Sequence, residues 1–344
     1  MPWHSVRGHD RVVETLRRSL AQGRLPHAFL FVGPEGVGKR TFALTLAQAL
    51  LCERAEAAAL DPCETCPSCL QVKAGTHPDV LQVERPEDKH ELPIRVIRDL
   101  CLDLGLKPAR GTRKVAIVND ADDLNEEAAN AFLKTLEEPP PGSVLILIGT
   151  SSEVQLDTIV SRCRVVRFNP LPEAELAAVL LEHDVTRDPK EAERLARLGE
   201  GSVSRARGLA DPALEPFRRA LIDELAAPNG FNPPALAQRL GAFIKEAGKE
   251  SVDQRGRASL LMGELARFFR GVLWQTAGLE PPNPDPDDRR AVAALARRLG
   301  PEDVFVLADR CLEADYHIQR KAYMPLILDS LTHDLGKLVN PGAG

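Results

Sequence analysis

Apolar residues follow two rhythms along this chain. In the first half they form short continuous runs at Ala28–Val32, Val80–Val83, Val115–Val118 and Val144–Ile148, with Val165–Phe168 as a fifth candidate. Such runs suit strands buried on both faces of a parallel sheet. Between them the apolar positions take helical spacing, most clearly over Thr41–Leu51, Ile94–Leu104 and Glu126–Glu138. Pro139–Pro141 ends the last of these, because proline lacks the N–H and clashes with the preceding turn. Strands that alternate with helices predict an α/β domain, a parallel sheet covered on both faces.

After Pro170 the strand rhythm stops. Leu171–Ala210 reads as a small helical unit, with Pro172 and Pro189 at helix-start positions. From Asp211 the pattern is helical to the end, with apolar stripes in Ser259–Leu273, Asp303–Leu312 and Met324–Leu338. Leu279–Asp288 (LEPPNPDPDD) interrupts it and is too rich in Pro and Asp to be an element. The expected organisation is an α/β domain over 1–169, a small helical domain over 170–210 and a larger helical domain over 211–344. The pattern does not separate core from subunit contact in the last of these.

Candidate chemistry begins where the first strand ends. Gly33-Pro34-Glu35-Gly36-Val37-Gly38-Lys39 lies between that strand and a helix, the context of a phosphate-binding loop. Glycines let successive backbone N–H groups face phosphate, and the lysine reaches its outer oxygens. The next residue should carry the hydroxyl that holds Mg²⁺, and here it is Arg40. Thr41 follows, but one residue along a helix rotates a side chain by about 100°. The Val115–Val118 strand runs into Asn119-Asp120, and Asp120 reads as the acid near the metal. The next residue, where a water-orienting glutamate belongs, is Ala121; Asp122 and Asp123 lie further on. Such a site is expected to bind ATP or ADP weakly, to hold Mg²⁺ poorly and to turn over very slowly.

The cysteines add a second candidate. Of seven, Cys63, Cys66 and Cys69 are spaced by two residues in a Pro- and Ser-containing segment, with Cys52 just upstream. Four thiolates can close a tetrahedral, structural Zn²⁺ site. His77 enters the next strand and is the less suited ligand; Cys101, Cys163 and Cys311 read as small buried side chains. Composition narrows the partners. The net charge of the 344-residue chain is −6 and aromatic residues make up 4%, which argues against a zinc-dependent single-strand-binding module built on a basic groove and stacking rings. Basic pairs such as Arg289-Arg290 and Arg297-Arg298 read as solvated faces. MPWHSVRGHD has no apolar signal core, and no stretch approaches the length of a membrane span, so a cytoplasmic protein is expected.

Further landmarks converge with these. Ile148-Gly149-Thr150 ends a strand with a polar residue where a sensor of the γ-phosphate would face. Ser161-Arg162-Cys163 follows, then Gly201-Ser202-Val203-Ser204-Arg205. With Asn130-Ala131-Phe132-Leu133-Lys134-Thr135-Leu136-Glu137-Glu138-Pro139, the arrangement resembles the AAA+ ATPases of replicative clamp loaders, strongly over the first 210 residues. The resemblance implies an AAA+ module, a helical lid and a C-terminal all-α collar that holds a five-membered ring together. It also implies a four-cysteine zinc module at about 52–69.

In that family the Ser-Arg-Cys arginine, here Arg162, reaches the ATP of a neighbouring subunit. Arg205 matches a second sensor over the subunit's own nucleotide, or is structural where that site is inert. Arg24-Leu25-Pro26-His27-Ala28 and Thr76-His77-Pro78-Asp79 resemble a non-motor subunit of the bacterial polymerase III loader. The motor subunit normally keeps Lys-Thr in the loop and Asp-Glu in the strand. The implied partners are the gamma/tau ATPase subunits, a delta subunit, the sliding clamp and primed DNA. The role implied is a non-hydrolysing stator; the alternative is an active motor in which Thr41 and Asp122 compensate.

Overall fold

The computed structural model describes residues 3, 6–55, 59–86, 89, 91–248, 251–281 and 284–340. The chain divides into two compact units, Met1–Ser204 and Arg205–Gly344.

The first unit alternates strand and helix, in the order α1 (Asp10–Ala21), β1 (Ala28–Val32), α2 (Lys39–Leu50), α3 (Pro67–Lys73), β2 (Val80–Val83), α4 (Ile94–Gly105), β3 (Lys114–Val118), α5 (Glu126–Glu137), β4 (Ser143–Ile148), α6 (Asp157–Val160) and β5 (Arg164–Arg167). Three helices follow, α7 (Glu173–Glu182), α8 (Pro189–Gly199) and α9 (Val203–Leu209), and the boundary between units falls inside α9. The strands form one parallel sheet in the order β2-β3-β4-β1-β5. This is the α/β module that the alternation predicts. All five apolar runs are strands, within a residue of their expected ends.

Strand alternation splits the core into two layers. Phe29, Phe31, Val115, Ile117, Val144, Ile146 and Ile148 face Val13 and Leu16 of α1 and Phe42, Ala43 and Leu46 of α2. Ala28, Leu30, Val32, Ala116, Val118, Leu145 and Leu147 face Ile97, Leu100 and Leu104 of α4 and Phe132 and Leu136 of α5. Each fully buried Phe or Leu contributes about 1.5–3 kcal/mol. The β5 edge carries exposed Arg164 and Arg167, which discourages pairing with another strand. Because β1 lies inside the sheet and β2 at its far edge, the loop after β1 opens at a switch point in strand order, where α/β sheets bind ligands.

The second unit is helical among its described residues: α10 (Leu214–Leu225), α11 (Pro233–Lys245), α12 (Ser251–Thr276), α13 (Arg289–Ala296), α14 (Pro301–Gln319) and α15 (Met324–Val339). The Leu279–Asp288 interruption separates α12 from α13, with residues 282 and 283 outside the described set. Its interior holds charge. Arg218, 1% exposed, pairs with Glu264 at 3.1 Å and with Asp288, and Glu264 also accepts from Arg267 at 2.9 Å. Arg289, Arg290 and Arg297 are exposed, whereas Arg298 donates to Ala226 O, Ala227 O and Val339 O. Among the described residues no helix is long and apolar enough to cross a membrane.

Candidate functional site

The glycine loop joins β1 to α2. Gly33 N–H donates to Thr150 O at 2.9 Å, which ties the loop's entry to the end of β4. Gly36 and Gly38 have φ of 74° and 96°, where a Cβ is strained. A Cβ on Gly36 would also meet Ser202 Oγ at 2.3 Å, and Val203 N–H donates to Gly36 O at 2.9 Å. The Gly201-Ser202-Val203-Ser204 run therefore lies directly on the loop.

Lys39 is buried and folded back. Its ammonium donates to Gly33 O and, at 2.7 Å, to Pro34 O, and burial lowers its pKa. His9 Nε2 donates to Val37 O at 2.8 Å, with its ring edge-on to Phe168. Arg40 turns outward and pairs with Glu84 at 3.2 Å. Thr41 is exposed.

Strand alternation decides which acid-bearing position faces the loop. Val115 and Ile117 point toward α2, so Asn119 is next on that face. Its backbone N–H still bonds to Val83 O at 2.8 Å, its side chain is buried, and its Nδ2 has no hydrogen-bond partner among the described residues. Asp120 follows in the left-handed region at φ 53° and is exposed, its carboxylate accepting from Arg85 N–H at 3.3 Å. The position on the α2 side of the sheet is thus an amide. Asp122 lies closer than its place in sequence suggests. Its carboxylate accepts from Thr150 N–H at 2.7 Å and from Gln155, and it acts electrostatically on Lys39. Thr150 continues the face of Ile146 and Ile148. Gly33–Lys39, Asn119, Asp122 and Thr150 are brought together at the carboxyl end of the sheet.

Arg205 lies in the second unit, where it donates to Glu264 Oε1 at 3.0 Å, a carboxylate only 1% exposed. Arg162 follows α6. Glu137 Oε1 accepts from its Nε at 2.7 Å and also from Nη2, while Nη1 donates to Thr158 O at 3.0 Å and Ser161 Oγ at 3.2 Å. About a third of the side chain (32%) remains exposed.

The cysteine segment forms a closed cluster. The Sγ atoms of Cys52, Cys63, Cys66 and Cys69 all lie within 4.8 Å of one another. A tetrahedral Zn²⁺ with Zn–S near 2.3 Å sets S···S separations of about 3.8 Å, and Cys63 to Cys69 measures 4.0 Å. Backbone N–H groups aim at the sulfurs: Ala55 and Cys63 at Cys52, Cys66 at Cys63, and Cys69 at Cys66, at 3.3–3.4 Å. Such donors favour thiolates, and the Thr65 backbone N–H is the largest influence that pulls Cys63 down to about 6, whereas burial pushes the Cys69 thiol up. Glu64, at φ 58°, makes the tight turn between Cys63 and Cys66. The donor set fits a structural Zn²⁺. His77 is engaged elsewhere, with Ser68 Oγ at 3.2 Å and Asp79 N–H at 3.1 Å.

Asn119, Glu137 and His9 were not among the expected site residues. Strand parity would have found the first; Glu137 stands in the Asn130–Pro139 run without a role of its own, and nothing local to the sequence marks His9. Comparison with known proteins matches residues 8–172 to a family described as DNA polymerase III, delta subunit. The delta' subunit of DNA polymerase III from Pseudomonas aeruginosa is 33% identical over 322 residues, covering 92% of this chain and 93% of that protein. The tau subunit from Escherichia coli is 33% identical over 323 residues, 87% of this chain, which spans about half (48%) of tau's length. The delta' subunit from Bacillus subtilis is 34% identical over 210 residues, 57% of this chain and 62% of its own.

Proposed function

The chain belongs to the family of bacterial DNA polymerase III clamp-loader subunits, and on that premise we propose that it is a delta-prime-type stator: it hydrolyses little ATP itself and completes a neighbour's ATPase site with Arg162. The observation that carries this reading is a contrast within one domain. The chain's own loop lacks both groups that would hold Mg²⁺, with Arg40 turned to Glu84 and an amide, Asn119, at the end of β3. Hydrolysis needs the metal and an oriented water. Arg162, by contrast, is intact and partly exposed. A permanently charged planar guanidinium can stabilise charge developing on a γ-phosphate in trans.

The partners in this reading are gamma/tau motor subunits and a delta subunit in a five-membered cytoplasmic ring, acting on a sliding clamp and primed DNA. The cysteine cluster holds Zn²⁺ as a structural staple, and Lys39 and the loop amides offer at most weak ATP or ADP binding. Arg205, committed to Glu264, serves structure rather than sensing. The helical 170–210 and 211–344 segments act as lid and collar.

Reconstitution with gamma/tau, delta and the clamp tests the proposal. Arg162→Ala should leave the complex assembled while sharply lowering DNA-stimulated ATPase and clamp loading. Unchanged activity would refute the role in trans. The second reading, an active motor, draws on Asp122, whose carboxylate reaches Thr150 N–H and acts on Lys39. DNA-stimulated ATP hydrolysis by the purified chain alone would favour it.

A further inference from the structure

The guanidinium of Arg162 is held before any neighbour could meet it, and the holder is one carboxylate. Glu137 Oε1 takes both the Nε and an Nη2 hydrogen, the side-on edge of the fork, while Thr158 O takes Nη1 at 3.0 Å. The flanks of the planar group are thus gripped by α5 on one side and α6 on the other.

Glu137 sits where helix electrostatics disfavours it. It is the last residue of α5, and the C-terminus of a helix carries partial negative charge that repels a carboxylate. Its own helix gives it no stabilising role; its partner is Arg162. The end of α5 is itself fixed. Phe132 and Leu136 are fully buried, His27 Nε2 donates to Leu136 O at 2.9 Å, and Leu145 N–H ties His27 O to β4 at 2.7 Å. Three prolines follow, Pro139–Pro141. The carboxylate therefore projects from a rigid platform joined through His27 to the central strands.

We infer that Glu137 is a positioning residue for the arginine finger: it clamps the side-on edge of Arg162 so that the rest of the guanidinium is aimed outward toward a neighbour's nucleotide. The inference rests on the reading of Arg162 as acting in trans. An exposed arginine free to rotate would have to surrender rotamer entropy at each turnover, whereas a clamped one arrives already oriented. The effect of Glu137 passes through Arg162.

The test uses loaders reconstituted from gamma/tau, delta and the clamp with this chain as wild type, Glu137→Ala, Glu137→Gln, Arg162→Ala or the Glu137→Ala/Arg162→Ala double variant. Assembly is checked by gel filtration, and kcat and KM for ATP are measured with primed DNA. Glu137→Ala should lower kcat by on the order of tenfold with KM within about twofold, as loss of aim without loss of ATP binding predicts. Glu137→Gln keeps an acceptor oxygen and should recover much of the loss. The double variant should be no worse than Arg162→Ala.

If Arg162→Ala collapses activity while both Glu137 variants match or exceed wild type, the positioning role is refuted and the finger stands. If Arg162→Ala has no effect, the finger reading fails and the positioning role with it. If Glu137→Ala further impairs the Arg162→Ala background, Glu137 acts on something other than Arg162, and the inference is wrong. Should Glu137→Ala fail to assemble, Glu137→Gln carries the test, and a kcat equal to wild type would overturn the inference.

Discussion

His9 shows how one side chain can set the condition of the glycine loop. Its buried Nε2–H braces Val37 O, and burial holds its pKa below the usual histidine value. A histidine depressed in the folded state stays neutral there, while the unfolded chain binds the proton more readily. Its contribution is therefore present above the unfolded pKa near 6.5 and is lost as pH falls through it. The expected result is a lower thermal midpoint at pH 5.5 than at 7.5, with a smaller pH difference in His9→Gln, whose amide can still donate to Val37 O without titrating. An identical pH dependence in both proteins would remove His9 from this role. At this scale the sequence was only partly legible. Gly33–Lys39 and Arg162 announce themselves through spacing, but Asp120 drew the eye because it is acidic. Which face a residue takes depends on counting from a strand's buried positions, and Val115 and Ile117 put the amide of Asn119, not Asp120, toward α2.

Elements were read most reliably where burial on both faces leaves a nearly unbroken apolar run, as in β1, β3 and β4, which are buried throughout. Helices with mixed surfaces were harder. α1 follows His9, which makes no side-chain cap bond, and carries Arg11, Arg17 and Arg18, so nothing marked its start. α3 is a seven-residue helix inside the cysteine segment, begun by Cys66 as cap with Pro67 next. The helical spacing does not announce it, because a helix this short leaves too few positions for periodicity to show. That helix also makes a prediction about the zinc site. Cys66 both accepts Cys69 N–H at 3.4 Å and belongs to the sulfur cluster, so Cys66→Ser should abolish stoichiometric zinc while its hydroxyl still caps the helix. Purified wild type should carry about one Zn²⁺ per chain, and structural sites of this type contribute directly to folding. Chelation or Cys66→Ser should lower the melting midpoint by several degrees, on the order of 2–4 °C for each kcal/mol lost in a domain of this size. A metal-free wild type with an unchanged midpoint after chelation would show the thiols to be a reduced cluster.

The whole molecule carries its largest hidden commitment in the second unit. Arg218, Glu264 and Asp288 are far apart in sequence, and no motif links them, so only the fold reveals that they share one buried network. Helical stripes foretold a helical domain but not charges inside it, because a paired ion and a solvated one look alike along the chain. Burial by itself would push Glu264 up, yet Arg267, Arg218 and Arg205 outweigh it and hold the carboxyl below its usual range. Its stabilising contribution is therefore present above the unfolded pKa and disappears as pH falls. Glu264→Ala would leave Arg218 buried against Asp288, with partly exposed Asp285 and Glu215 at 3.5 and 3.8 Å, and Arg205 and Arg267 would lose a shared acceptor. Breaking such a buried set by removing one partner costs about 3–5 kcal/mol. Because each unit has its own core, the loss should appear in the unfolding of Arg205–Gly344. Urea unfolding followed by hydrogen exchange would separate the two: peptides from α10, α12 and α14 should lose protection in the variant, while peptides from β1, β3 and β4 keep theirs. Equal loss across both sets would mean that the units unfold as one, and that the charged network stabilises the parallel sheet as well as its own helices.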